Sequence, residues 1–391
     1  MKKILLSIIL IIAVVFSGLT VTDTDYLLKA FRVTYLRGKT DVTIDDYHIQ
    51  STKTIKKGTP QKWELHKDYN KEPIAEDVLK MHKDYKSIAF LVIKDGQLLT
   101  EKYFNEGSES HLSGVWSISK TYTSLLILKA IEDGLIDDID DPVSKYIPEL
   151  NFNQKNELTL RHVASMSAGL FWDESAHEPL ALITKLNFYD DLEKFTVEDL
   201  NAVGEPGEIQ HYNSGSTQIL GIVLKRVLGD KSITDYISEK FWQPLGYEYD
   251  GLYIVDSEKH GNEKAFGGIV TTARDVSKLG QLLLNNGVWK GKQLINEKDM
   301  QLFHHLPYNN KTYTFGLWSG VYEGERFIFQ SGFRGQYCIT FPKHNLVITR
   351  LGHETSPKDD IGDIKADVYI YLKEAIRIAE KSNDELMTEE I

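Results

Sequence analysis

The residues best suited to chemistry in this sequence are a serine and a lysine three positions apart, in Ser117-Ile118-Ser119-Lys120. On a helix, positions i and i+3 lie on one face, so the two side chains can meet at the helix start. A serine hydroxyl is a weak nucleophile that needs an adjacent base. A lysine can be that base only where burial lowers its pKa, and the apolar run 125–128 just downstream would supply that burial. The alternative is a solvated lysine beside a capping serine.

A tyrosine and a serine follow in Tyr212-Asn213-Ser214, after Pro206-Gly207 and before a helix predicted to begin near Ser216. The motif therefore lies on a loop at a helix start. A tyrosine close to an ammonium group can carry a proton between a nucleophile and a leaving group. Because the chain has 20 tyrosines, the motif taken alone favours an ordinary loop tyrosine.

A third motif, Gln330-Ser331-Gly332, ends a predicted strand over residues 327–329, and the next strand opens at Gly335-Gln336-Tyr337. Glycine at this point lets a substrate approach an edge strand closely. An edge strand also offers a free backbone N–H, which is one half of an oxyanion hole. The alternative is a plain hairpin turn.

In their order and spacing, the three motifs resemble those of the serine β-lactamase-type hydrolase superfamily, whose class A members carry a serine-x-x-lysine. The chain looks closer to the class C branch and to the related esterases and D-aminopeptidases. The connecting sequence is similar as well, and the resemblance covers about residues 75–375. The segments that carry it are 158–162, 166–170, Pro206-Gly207, Pro244-Leu245-Gly246 and Gly268 with 272–275.

The resemblance implies an α+β fold, with a central antiparallel sheet flanked by helices and a mainly helical inserted lobe at about residues 135–270. It also implies an acyl-enzyme on the serine, with no metal and no organic cofactor. The implied catalytic residues are Ser117, Lys120, Tyr212 and Ser214. The implied oxyanion hole is formed by the backbone N–H groups of Ser117 and Phe333. The candidate substrate-binding residues are Gln330, Ser331 and Gly332 of the third motif, and Trp172 is a further candidate.

Two positions depart from the pattern of the family. Ser214 stands where the class C branch has an asparagine, and the tyrosine-x-serine is similar to that of 6-aminohexanoate-dimer hydrolases, which cleave linear amides. Gln330 replaces the cation of the third motif, a usual partner of the β-lactam carboxylate. Arg334 is a candidate substitute, although a charge on a turn is usually only solvated. Trp172 belongs to the segment 171–174, which either lines the pocket or forms a packed surface loop.

Strand patterns at both ends of the chain and helical patterns between them predict one antiparallel sheet built from both termini, with helices covering its faces. A two-residue turn at Asp95-Gly96 indicates a hairpin, and Gly134 is expected to stop the first long helix. The predicted strands are 87–93, 97–104, 315–322, 327–329, 336–341 and 346–351. The predicted helices are 116–132, 216–229, 272–287 and 363–380.

Composition narrows the class of protein. The chain has 391 residues, 41% hydrophobic and 26% charged, which is an ordinary globular profile. The net charge of −12 gives no basic footprint for nucleic acid. A single cysteine, Cys338, excludes a disulfide framework and a multi-cysteine zinc site. His304-His305 makes a poor metal pair, and His162, His211 and His353 show no ligand spacing.

The N-terminus predicts export, because Lys2-Lys3 precedes an apolar run over residues 4–19. Residues 1–21 are interpreted as a signal peptide or an N-terminal membrane anchor, with anchoring through residues 4–21. Residues 22–73 form a polar, irregular extension, 74–380 the hydrolase domain and 381–391 a polar tail. The expected location is the cell envelope, outside the cytoplasm.

Three functions remain open. The first is an extracytoplasmic serine hydrolase acting on small ester or linear amide substrates. The second is a penicillin-binding protein, β-lactamase or D-aminopeptidase, which the neutral Gln330 disfavours. The third is a non-catalytic envelope sensor with the same fold, which the intact Ser117, Lys120 and Tyr212 disfavour.

Overall fold

The computed structural model describes residues 17–388 except 151, 153, 176–177, 305–311 and 357–363, together with Ser7, Leu10 and Val14. Its strands are β1 Thr52–Ile55, β2 Ser87–Lys94, β3 Gln97–Tyr103, β4 Ser113–Gly114, β5 Gly251–Ile254, β6 Ile269–Thr271, β7 Val288–Trp289, β8 Lys292–Gln293, β9 Tyr313–Thr314, β10 Leu317–Tyr322, β11 Glu325–Gly332, β12 Gln336–Phe341 and β13 Leu346–Gly352. Its α-helices are α1 Tyr26–Val33, α2 Glu76–Asp84, α3 Ser119–Glu132, α4 Leu160–Ala164, α5 Leu182–Phe188, α6 Leu192–Glu198, α7 Ser214–Leu228, α8 Ile233–Ile237, α9 Ala273–Leu284, α10 Glu297–His304 and α11 Ala366–Thr388.

The central sheet has seven strands in the order β3-β2-β13-β12-β11-β10-β9, and each neighbouring pair is antiparallel. The N-terminal hairpin β2–β3 therefore pairs with the last strand of the chain. Asp95 and Gly96 both have positive φ, 52° and 77°, as a two-residue hairpin turn requires. The predicted fold class and the hairpin are confirmed.

Helices cover both faces of this sheet. On one face, α3 and α9 belong to the larger hydrophobic core, and the mixed middle of the chain joins the same core. On the other face, α2 and α11 form a second core with β2, β11, β12 and β13. The apolar residues of α3 are buried all round, as its sequence predicts.

Several element boundaries differ from the sequence prediction. The first long helix is preceded by a 3-10 turn, Trp116–Ile118, so that α3 proper begins at Ser119. Gly134 has a φ of 73° just after its end, as a helix stop requires. Thr272 caps α9 by accepting a hydrogen bond from the Asp275 N–H, but the helix ends at Leu284 rather than near Gly287. Helix α11 continues to Thr388, so the first part of the predicted polar tail is helical.

The N-terminal extension is not irregular, which corrects the sequence interpretation of residues 22–73. It contains α1, and its strand β1 pairs antiparallel with β5. A second sheet results, in the order β1-β5-β6-β4. The local sequence does not predict β1, because this strand pairs with a strand about 200 residues further along the chain.

The apolar run of residues 4–19 lies mainly outside the described residues. Among the residues that are described, no helix is both long enough and apolar enough to cross a membrane.

Candidate active site

Ser117 and Lys120 meet as their spacing predicts. Ser117 lies in the 3-10 turn before α3, and Lys120 lies in the first turn of α3. The Lys120 Nζ donates a hydrogen bond to the Ser117 Oγ at 2.9 Å. The residue before the serine, Trp116, has a left-handed φ of 49°, a conformation that costs energy and is common at functional sites.

Lys120 is buried, with 1% of its surface exposed. Its Nζ also donates to the Ser214 Oγ at 3.1 Å and to the Phe266 carbonyl oxygen at 2.8 Å. Burial lowers the pKa of Lys120 from 10.5 to about 8, while the charge of Glu174 acts in the opposite direction. Near neutral pH part of this lysine is therefore neutral and able to accept a proton.

The second sheet fixes the segment that carries the serine. The Val115 N–H donates to the Ile269 carbonyl at 3.0 Å, and the Gly114 N–H donates to the Ile44 carbonyl at 2.8 Å. The Ile269 N–H in turn donates to the Ser119 Oγ at 3.0 Å. The loop of the N-terminal extension around Ile44 thus supports the approach to the serine.

Tyr212 lies next to the Ser117–Lys120 pair. Its ring centroid is 5.2 Å from the Lys120 Nζ and 5.4 Å from the ring centroids of Tyr313 and Trp318. Burial raises the pKa of Tyr212 and the charge of Glu174 raises it further, whereas the Ser117 hydroxyl lowers it. Tyr212 therefore remains a phenol near neutral pH and can donate a proton.

Ser214 is the first residue of α7, and it contacts both the amine of Lys120 and the carboxylate of Glu174. Its Oγ accepts the hydrogen bond from Lys120 and donates to the Glu174 Oε1 at 2.6 Å. The Ser214 N–H donates to the Glu174 Oε2 at 3.1 Å. Sequence reasoning placed Glu174 only within a segment that could line the pocket. No local spacing indicates its contact with Ser214, because 40 residues separate the two.

Trp172 lies beneath the site rather than on its surface. Its side chain is 6% exposed, and Trp172 is not one of the described residues that line the cleft. Its indole N–H donates to the Glu174 carboxylate. A Cβ on Gly215 would lie 2.6 Å from the Trp172 ring, so the indole packs directly on the start of α7. Trp172 therefore holds Glu174 in place, and its role as a substrate-binding residue stays a prediction.

The three residues of the third motif differ in their access to the cleft. Ser331 and Gly332 line the cleft together with Phe333, and no hydrogen bond within the described chain uses the Phe333 N–H. Gln330 is fully buried and does not line the cleft. Neither polar atom of its amide has a partner among the described residues.

Arg334 lies at the cleft but is paired. Its guanidinium donates to the Asp41 carboxylate at 3.0 Å and to the His353 carbonyl at 3.0 Å, and it lies 5.4 Å from the Phe333 ring centroid. Asp41 belongs to the N-terminal extension. The candidate substitute cation is therefore largely neutralised by a residue that the sequence analysis did not select.

The active-site residues lie around one cleft of about 580 Å³. Its lining consists of Asp41, Val42, Trp116, Ser117, Glu174, Ile183, Asn187, Tyr212, Ser214, Phe266, Gly267, Trp318, Ser331, Gly332, Phe333, Arg334, Gly335, Tyr337, Glu354, Thr355 and Lys365. The cleft thus collects residues from the extension, the helical middle and the sheet. A volume of this size suits a small-molecule substrate.

One histidine without ligand spacing in the sequence does join a group of carboxylates. His353 lies with Asp45 and Glu106, and their ligand atoms are within 4.8 Å of one another. Sequence spacing missed this group because three distant segments form it. The His353 Nε2 is already hydrogen-bonded to Glu106.

Comparison with known proteins places these features in a family. The family model described as beta-lactamase matches residues 74–371. The 6-aminohexanoate-dimer hydrolase of Paenarthrobacter ureafaciens is 27% identical over 224 residues, which are 54% of this chain and 55% of that protein. The chain spans about half the length, or less, of the first curated relatives that it matches.

Solved structures show the same fold. A Bacillus anthracis protein provisionally described as a 6-aminohexanoate-dimer hydrolase matches with a TM-score of 0.69 and 23% identity, covering 88% of this chain and 94% of that one. A penicillin-binding protein from Bacillus halodurans matches with a TM-score of 0.57 and 18% identity, covering 73% and 96%. At these identities the likeness concerns the fold. Because the family model matches most of the length of this chain, the chain belongs to the beta-lactamase family.

Proposed function

We propose that the protein is a serine hydrolase that cleaves ester or linear amide bonds through an acyl-enzyme on Ser117. The observation that carries this proposal is the 2.9 Å hydrogen bond between the Ser117 Oγ and the Nζ of a buried lysine. Burial is what makes a lysine a base near neutral pH, and a hydroxyl in contact with a base is an activated nucleophile.

Acylation follows from this geometry. The neutral Lys120 amine takes the Ser117 proton as the Oγ attacks the substrate carbonyl carbon. The carbonyl oxygen gains negative charge and accepts hydrogen bonds from the N–H groups of Ser117 and Phe333. As the tetrahedral intermediate collapses, the bond to the leaving group breaks. Tyr212 donates its phenolic proton to the leaving group and regains one from the Lys120 ammonium.

Deacylation uses the same base with water as the nucleophile. Water replaces the leaving group, Lys120 accepts a proton from it, and the resulting hydroxide attacks the acyl carbon. The proton then returns to the Ser117 oxygen as the acid product leaves. The pKa directions support this division of work, because the pKa of Lys120 is lowered to about 8 and that of Tyr212 is raised.

The surroundings of the nucleophile favour a substrate without a carboxylate near the scissile bond. Gln330 supplies no charge and is buried. Glu174 adds a negative charge beside Ser214, and the Arg334 guanidinium is paired with Asp41. The similarity to a 6-aminohexanoate-dimer hydrolase supports a linear amide substrate. We also propose that the protein acts outside the cytoplasm, on the basis of Lys2-Lys3 and the apolar run that follows.

A substrate panel tests this proposal. Purified protein is given a short-chain ester, a linear amide, a D-amino-acid amide and a cephalosporin, with Ser117→Ala as the control. We expect kcat/KM for the ester or the linear amide to exceed that for the cephalosporin by ~10²-fold, on the order of 2.7 kcal/mol in transition-state binding. A serine-reactive phosphonate should label Ser117.

The second candidate is a penicillin-binding protein or β-lactamase. The lining cations Arg334 and Lys365 are the features that favour it. A preference for the cephalosporin in the same panel would select this candidate. Absence of both labelling and turnover would favour the non-catalytic sensor.

A further inference from the structure

The Glu174 carboxylate is fully engaged within the active site. Its Oε1 accepts a hydrogen bond from the Ser214 hydroxyl at an Oγ–Oε1 distance of 2.6 Å. Its Oε2 accepts the Ser214 N–H at 3.1 Å and the Trp172 indole N–H. An ionised carboxylate can only accept hydrogen bonds, so the hydrogen of the Ser214 hydroxyl must point to Glu174.

Lys120 has three partners, and they differ in what they can donate. Its Nζ lies 2.9 Å from the Ser117 Oγ, 3.1 Å from the Ser214 Oγ and 2.8 Å from the Phe266 carbonyl oxygen. The neutral amine has two hydrogens and one lone pair. The lone pair must face a donor, and a carbonyl oxygen has no hydrogen to give.

Glu174 removes the other candidate donor. Because the Ser214 hydrogen is committed to the carboxylate, Ser214 can only accept from Lys120. Ser117 is then the one partner of the three that can donate to the lone pair. We infer that Glu174 is a positioning residue that, through Ser214, directs the lone pair of neutral Lys120 at the Ser117 hydroxyl. This inference rests on the proposed function, since it concerns how that nucleophile is activated.

The same arrangement suits the state after proton transfer. The Lys120 ammonium has three hydrogens, and its three partners are placed to accept them until one proton passes on to Tyr212 as the leaving group departs. The charge of Glu174 also favours the ammonium and raises the pKa of Lys120 against the effect of burial. Neither Ser214 nor Glu174 has to reorient when the proton moves, so the site is organised before the reaction starts.

The variant Glu174→Gln is expected to turn the hydrogen of the Ser214 hydroxyl away from residue 174. The Gln carbonyl oxygen would stay with the two N–H donors of Ser214 and Trp172, which leaves its NH₂ group facing the Ser214 Oγ. That NH₂ group donates, so the Ser214 hydrogen must turn elsewhere, and the Lys120 lone pair is the acceptor nearby. Ser214 would then compete with Ser117 for the base.

The test measures the rate of Ser117 labelling by a fluorophosphonate and kcat/KM for a neutral ester, both as functions of pH. For Glu174→Gln we expect a plateau lower by ~10²-fold, the usual scale for a lost acid–base function. The rising limb should also move to lower pH, because the lysine loses a neighbouring negative charge. This shift reports only the lost charge, so the plateau in a Ser214→Ala background is what separates positioning from a merely structural loss.

Two further variants isolate the role of Ser214. In a Ser214→Ala background no hydroxyl can compete for the lone pair, so adding Glu174→Gln should change the plateau by less than about threefold. Asp173→Asn is the matched charge control. Among the described residues its carboxylate is hydrogen-bonded to Ser175, and Asp173 is not one of the residues that line the cleft, so activity should equal that of the wild type.

The outcomes separate this inference from the proposed function. If the wild type labels Ser117 and Glu174→Gln labels it equally fast, the positioning role is wrong while the proposed function stands. Equal losses from Glu174→Gln with and without Ser214 would also overturn it. A wild type that neither labels nor hydrolyses would overturn the proposed function and the positioning role together.

Discussion

The Cα of Gly332 lies against the carbonyl oxygen of Val115, so closely that a Cβ on this residue would stand only 2.3 Å from that oxygen. This contact seats the end of β11 beside the turn that carries Ser117, and the next residue, Phe333, lines the cleft and carries the N–H of the proposed oxyanion hole. We therefore expect Gly332→Ala to displace that N–H and to lower kcat/KM by ~10²-fold or more, the scale for loss of one oxyanion donor.

Steady-state kinetics on an ester and a thermal melt check this prediction. Gly204→Ala is the control, since a Cβ there meets only the Gly169 Cα at 3.8 Å. A Gly332→Ala variant that melts like the wild type and keeps its rate would show that the strand end does not hold the oxyanion.

The pH dependence of acylation should follow Lys120. The neutral amine is the base, and burial lowers the pKa of this lysine to about 8. For a neutral ester, kcat/KM should therefore rise with pH, reach half its plateau near pH 8 and stay high above it. A profile that is flat between pH 6 and 9, or that falls as pH rises, would assign the base to another group.

Tyr212 should matter most where the leaving group is poor. Its raised pKa keeps the phenol protonated, so it acts as an acid toward the leaving group. We expect Tyr212→Phe to lower kcat for a linear amide by ~10²-fold and to affect an activated ester much less, because that leaving group needs little protonation. Equal losses on both substrates would contradict the assignment.

Asp41 should limit the use of anionic substrates. Its carboxylate pairs with the Arg334 guanidinium, so Asp41→Asn frees a cation at the cleft. We expect the ratio of kcat/KM for a carboxylate-bearing ester to that for its neutral analogue to rise roughly two- to fivefold, the scale of a partly exposed ion pair. An unchanged ratio, or a ratio equally raised in Asp41→Asn/Arg334→Ala, would exclude Arg334 as the group that reads the charge.

Gln330 is a poorer place to restore that charge. The sequence suggests Gln330→Lys as the test of the missing cation, but the side chain is fully buried. A lysine there would lose its hydration, and an unpaired buried charge is costly. Lower stability is the expected result, which a melting curve would show before any effect on specificity could be read.

Local sequence was sufficient for the parts of the site that lie on one element. The contact between Ser117 and Lys120 follows from helical spacing, and the strands β12 and β13 follow from their β-rich runs. The Asp95-Gly96 turn likewise requires only the conformational freedom of its own residues. In each case the physical cause acts within a few positions of the chain.

Tertiary contacts decide the remainder. Glu174 reaches Ser214 across 40 residues that include two helices, and Asp41 reaches Arg334 across 293 residues. Nothing in the neighbouring sequence distinguishes these carboxylates from the other acidic residues of the chain. The burial of Gln330 depends on which face of β11 meets the helices, and a three-residue motif does not settle that.

The second sheet ties the N-terminal extension to the cleft, and this bears on how related proteins can differ. The family match begins at residue 74, yet β1, Ile44 and Asp41 all precede it and support or line the cleft. The catalytic unit is therefore larger than the shared family core. Because Asp41 and Val42 line the cleft, we expect changes in this extension to alter which substrates are accepted while Ser117, Lys120 and Tyr212 stay untouched.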